Sequence, residues 1–188
     1  MGCPAPGASA GSAQALHADL LSLVLLSERR LSEAIAVATE GIRLYSSGLI
    51  EPQNAAYVRN VRGLSHLLEG RAHEAEEDFR AGLEMSTRLR TPRTQGFCAF
   101  NLAWAAVLSG DLDAALTAVN QAVMGFLEDG GPEVPLARGV QSGLRAARHE
   151  GPLAALEEIR TAVSTSPHPE LYQPAPTDWD RLGELLRT

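Results

Sequence analysis

Leu68–Phe79 reads LEGRAHEAEEDF, and Leu108–Val119 reads LSGDLDAALTAV, forty residues later. Gly70 and Gly110 hold the same place in the two stretches, as do Ala75 and Ala115, and each glycine closes one helical pattern just before another opens. An echo at a fixed interval marks a repeat array, because a single hairpin cannot bury its apolar face alone and neighbours must offer matching surfaces. Pro52, Pro92 and Pro132 keep the same interval, each ahead of a helical pattern, where a missing N–H costs nothing in the first turn. Ala155 continues the alanine series, and Ala34 takes that role in the first copy with a slip of one residue.

Outward from these markers the chain divides into four helical hairpins, at 13–48, 52–90, 92–128 and 132–165. Apolar residues fall at helical spacing in both arms, for example Leu112, Ala115, Leu116, Val119 and Val123. Residues 1–12 are expected to form a flexible leader, 166–176 a proline-rich connector, and 177–187 a capping helix with Thr177 as its N-cap and Trp179, Leu182, Leu185 and Leu186 on one face. If that last helix reaches another molecule instead of the end of the stack, it is the expected element of a homodimer.

Small residues recur where paired helices must cross: Gly63, Ala75 and Gly82 in the second copy, with the larger Phe79 between them, and Ala103, Ala115, Ala122 and Val119 in the third. This pattern resembles the tetratricopeptide repeat, although the unit here is forty residues rather than the usual thirty-four. The resemblance implies an all-α fold, a right-handed superhelical stack of four antiparallel hairpins closed by the C-terminal helix. It also implies that the first helix of each hairpin lines a concave groove. Carried across position by position, the groove residues are Tyr57, Asn60 and Leu64, then Phe97, Phe100, Asn101 and Trp104, then Ala137, Val140, Gln141 and Leu144, with Arg145 beside them. Aromatic rings with amides among them suit a peptide, and the competing reading is that the rings pack between hairpins.

The composition agrees with helices. Hydrophobic residues make up 45% and aromatic ones 5%, the apolar content being mainly Ala and Leu. All sixteen basic residues are arginine and the net charge is -7, which argues against a general nucleic-acid binder, for want of a basic footprint. The first helices are richer in arginine than in acid and the second helices the reverse, which points to an acidic segment as partner. Cys3 and Cys98 stand too far apart in context to suggest a disulfide framework, and neither a signal peptide nor an apolar run of membrane-spanning length is legible, so a cytoplasmic protein is expected. The long repeat unit is similar to those in the sensor arrays of large bacterial transcriptional regulators, which implies a bacterial protein.

Chemistry is hard to find. No phosphate loop, dinucleotide fingerprint, nucleophile elbow or zincin helix is present, and the serine of GVQSG at 139–143 has the wrong spacing for an elbow. His66, Glu69, His73, Glu74, Glu76, Glu77 and Asp78 form the richest polar cluster, but without ordered metal-ligand spacing they read as a solvated face opening a helix. The expectation is a non-enzymatic module without cofactor or metal that binds a protein or peptide, and no membrane. The alternative is an effector-sensing or self-associating segment that works with a bacterial transcriptional regulator. Replacing Asn101 and Trp104 by Ala is expected to abolish partner capture with little change in melting.

Overall fold

The forty-residue echo has a physical counterpart at the hairpin tips. Arg29, Gly70 and Gly110 all take left-handed backbone, with φ of 61°, 80° and 79°. The residue after each donates its N–H to a carbonyl five back (Arg30 to Leu25, Arg71 to His66, Asp111 to Ala106, each 2.9 Å), while the left-handed residue itself bonds three back. That is a Schellman ending, which satisfies carbonyls left open by the terminating helix. The second helix of the hairpin follows at once: Ala34, Ala75 and Ala115 donate to the carbonyls of Arg30, Arg71 and Asp111. Glycine makes the left-handed turn at little cost in two copies, and Arg29 makes it with strain in the first.

The computed structural model describes residues 6–47, 54–149 and 152–166. These residues form eight helices and no strand: α1 (Pro6–Ser27), α2 (Leu31–Ser46), α3 (Ala55–Leu68), α4 (Ala72–Leu89), α5 (Pro92–Leu108), α6 (Leu112–Asp129), α7 (Val134–His149) and α8 (Pro152–Ser164). The connector and capping helix expected from 167 onward lie outside the described residues. The chain divides into two compact units, 1–91 and 92–188.

In the first unit α1 pairs with α2 and α3 with α4, and α3 packs on both helices of the first hairpin. Ala15, Ala38, Ile42, Tyr45, Ala55 and Val58 form one buried cluster, and Leu25, Leu26, Ala34 and Val61 another. The crossing between α3 and α4 depends on Gly63, because a Cβ there would fall 2.7 Å from the ring of the fully buried Phe79. The first helix begins at Pro6, so residues 6–12, expected as part of a leader, are helical. A proline at the first helical position followed by alanine-rich sequence accounts for it.

In the second unit α5 pairs with α6 and α7 with α8, and α6 packs on α7. Gly143 does for Ile159 what Gly63 does for Phe79, with a Cβ placed 2.5 Å from Ile159 Cγ1 and 2.9 Å from the Ala155 carbonyl oxygen. The spacing between the glycine and the large residue is the same in both hairpins, and Ala75 and Ala155 are wholly buried beside them. Pro92 opens α5 as its position predicts, whereas α7 opens two residues after Pro132, with Glu133 turned inward between them.

Candidate functional site

The polar and aromatic side chains of interest fall into one group in each unit. In the second unit the sequence of α5 sets Phe97, Phe100, Asn101 and Trp104 at i, i+3, i+4 and i+7, along one side of the helix. Phe97 meets Phe126 of α6 edge-on, with ring centres 5.2 Å apart, and Phe100 meets Trp104 edge-on at 6.1 Å. Phe100 also lies 6.5 Å from Phe126, so the four rings form a continuous row. Only Gly96 admits the Phe126 ring, since a Cβ there would lie 2.6 Å from it.

Phe97 is half-buried, and the Arg93 guanidinium lies over its face at 5.7 Å. Arg93 is held in turn by Glu133, at 2.6 Å, and by Asp129, at 3.6 Å. Asn101 and Trp104 are buried, and the Trp104 indole N–H has no hydrogen-bond acceptor among the described residues. On α7, Gln141 donates to the Asn120 side chain of α6 at 2.6 Å, and Arg145 is exposed.

Tyr57 and Asn60 belong to the first unit. Tyr57 is half-buried and packs against the Leu25, Leu26, Ala34 and Val61 cluster, and Asn60 is buried in α3. The structure therefore brings Phe97, Asn101 and Trp104 together along α5, places Gln141 and Arg145 on α7 of the same unit, and leaves Tyr57 and Asn60 in the other.

With Trp104 only 3% exposed, a change to Ala there opens a core cavity and costs about 3–5 kcal/mol. The expectation that the Asn101→Ala, Trp104→Ala pair leaves melting unchanged is thereby corrected. Loss of capture in that double variant cannot be separated from loss of fold.

The most tightly bonded polar group was not legible as a site. Asp78, 4% exposed, accepts from Arg62 Nε at 2.7 Å and Nη2 at 2.6 Å, and Arg59 stands 3.5 Å away. Arg62 also reaches Thr39 of α2 at 3.2 Å, so one guanidinium joins three helices. His66 is buried nearby with Nδ1 unpartnered, and burial pushes its pKa down, helped by the positive charge of Arg71 and opposed by Asp78. These two residues depart from the solvated face expected for residues 66–78, which holds for the exposed Glu69, His73 and Glu77. A signal was present: Asp78 shares a helical face with Ala75 and Gly82, the crossing residues of α4. Among the described residues no group of three or more His, Cys, Asp or Glu is placed to hold a metal ion.

A second buried carboxyl, Asp19 of α1, accepts from the Tyr45 hydroxyl at 2.6 Å. Burial pushes its pKa up, against the lowering effect of hydrogen bonds from Tyr45 and Asn54, and the Tyr45 pKa is pushed up by burial and by the carboxylate. No helix among the described residues is long and apolar enough to cross a membrane.

Arginine pairing changes the charge reading. Arg30, Arg59, Arg62, Arg93 and Arg148 form ion pairs with the chain's own carboxylates, Arg148 with Asp113 of α6. Much of the positive excess on the first helices is therefore already neutralised, and Arg145 is exposed, as are Arg29 and Arg138. Compared with known proteins, the chain matches no family model, no curated protein and no solved structure.

Proposed function

We propose that this chain is a non-enzymatic interaction module, a tetratricopeptide-like run of four helical hairpins wound into a right-handed stack, and that its α5 and α7 side chains take an extended segment of a partner protein. One observation carries the reading: the unsatisfied indole N–H of Trp104, three residues from Asn101 and edge-on to Phe100. A buried donor without an acceptor costs about 1–3 kcal/mol, and a peptide carbonyl that displaces the side chains covering Trp104 would recover that cost. Gln141 and Arg145 supply further polar contacts, and Arg145 would favour an acidic residue or a terminal carboxylate by charge-assisted hydrogen bonding.

The test is affinity capture from a lysate of the source organism, read by mass spectrometry, with wild type, Gln141→Ala/Arg145→Ala and Trp104→Phe as baits. The first variant alters only surface contacts, and the second keeps a ring while removing the N–H. A protein captured by wild type and lost from both variants, each folded by circular dichroism, supports the reading. Identical capture by all three baits refutes it.

A further inference from the structure

The first helix carries a second apolar surface that its own hairpin does not use. Its inner side, Ala15, Ala18, Ser22, Leu25 and Leu26, is buried in the first unit. On the opposite side Leu16, Leu20 and Val24 are 50%, 60% and 49% exposed, one turn apart, with Ala13 exposed on the same line. A surface helix of a globular protein normally presents charge on that side, and a helix that is apolar all round is one that is covered all round.

Charge and spacing identify the cover. Between Pro6 and Ser27 the only carboxylate is Asp19, which is buried on Tyr45, and there is no arginine. The ridge can therefore meet a copy of itself without like-charge repulsion, even though the chain carries -7. Leu16, Leu20 and Val24 follow one another at steps of four, a ridge that can interdigitate with the same ridge of a second helix at a crossing angle of about 50°.

Beside the ridge runs a groove of about 650 Å³ between α1 and α2, lined by Ala13, His17, Leu21, Leu44, Glu40 and Arg43. Glu40 and Arg43 form an exposed ion pair, so the groove's rim carries both signs and is complementary to its own two-fold image. A membrane surface is the poorer fit, because an interfacial helix needs basic residues flanking its apolar face and α1 has none.

We propose that α1 is a self-association helix, and that a second copy of this chain covers Leu16, Leu20 and Val24 in a two-fold dimer. A stable dimer buries about 800 Å² on each partner, more than three half-exposed aliphatic side chains supply, so the contact extends over the α1–α2 groove. This surface is independent of the α5 and α7 side chains proposed to bind a partner segment.

The test is sedimentation velocity of the full chain across a dilution series. Wild type is expected to be dimeric, and Leu16→Glu/Leu20→Glu to dissociate with a constant raised about a hundredfold or more, with unchanged far-ultraviolet circular dichroism. The pair Trp179→Asp/Leu182→Asp, in the C-terminal segment, is expected to leave the dimer intact. In a Cys3→Ser background, Leu20→Cys should form a covalent dimer on mild oxidation while Glu77→Cys does not, a result that does not depend on the glutamate variant folding. A monomeric wild type, or a dimer indifferent to the α1 substitutions, overturns the proposal. So does a dimer lost through the Trp179 pair, or one that forms only with it, since either places the chain's own C-terminal segment at the centre of the contact.

Discussion

Gly125→Ala sets two effects of opposite sign against each other. By intrinsic propensity alanine is favoured over glycine in a helix interior by about 1 kcal/mol, so an isolated α6 would gain. In the folded protein the new Cβ would lie 2.7 Å from the Pro92 carbonyl oxygen, 2.8 Å from Gly96 N and 3.0 Å from Gly96 Cα. All three atoms are backbone, so no rotamer change relieves the contact and α6 must withdraw from α5. Overpacking of this kind costs about 1–3 kcal/mol, and the rigid backbone places this case at the upper end. Withdrawal also lifts Phe126 off Gly96 and away from Phe97 and Phe100.

The net expectation is destabilisation by about 1–2 kcal/mol. With a urea m-value of about 2 kcal/mol/M, the midpoint should fall by roughly half to one molar at unchanged m. Met124→Ala, on the exposed side of the same helix, is the control and should shift stability by no more than about 0.5 kcal/mol. A Gly125→Ala protein as stable as wild type, or more so, would show that helix propensity decides here and that the close approach of α5 and α6 does not exist.

Three further outcomes follow from the buried polar groups. Asp78→Asn leaves Arg62 and Arg59 without a counter-charge; a full buried pair broken this way costs about 3–5 kcal/mol, and partial exposure of Arg62 lowers the expectation to about 2–3 kcal/mol by urea unfolding. His66 has its pKa pushed down in the fold, so the unfolded chain binds more protons below its ordinary value near 6.5. Wild type should accordingly lose stability relative to His66→Leu as pH falls from neutral through that window, and parallel stability curves for the two would contradict the buried neutral imidazole. Asp19 is the reverse case: its raised pKa makes the fold hold the proton more tightly, so its contribution is present below the unfolded value and is lost as pH rises through the folded one. Asp19→Asn should therefore gain on wild type as pH rises from strong acid, with no gain if Asp19 titrates normally.

The period and the helices were legible because they depend on near neighbours. Gly70 and Gly110 end helices by their own backbone freedom, Pro92 opens one, and Ala75, Ala115 and Ala155 are buried as their spacing requires. Pro6 was missed because Pro and Gly in the first residues looked like punctuation of a leader, whereas the alanines after them extend the helix.

The expected site was legible only as a set of side chains on first helices. Sequence put Phe97, Asn101 and Trp104 on one stretch; only packing decided that Trp104 is buried with an unsatisfied N–H while Phe97 stays half-exposed. The charge of a first helix could be summed from sequence, but Arg59 and Arg62 turn toward Asp78, sixteen residues from Arg62, and Arg93 toward Glu133, forty residues away. The sequence by itself determined where helices begin, end and repeat, because capping, propensity and periodicity act within a turn or two. Which arginines meet carboxylates, how near Gly125 comes to Gly96, and which side of α1 is left uncovered were decided by the tertiary structure, because each depends on atoms that only helix packing brings together.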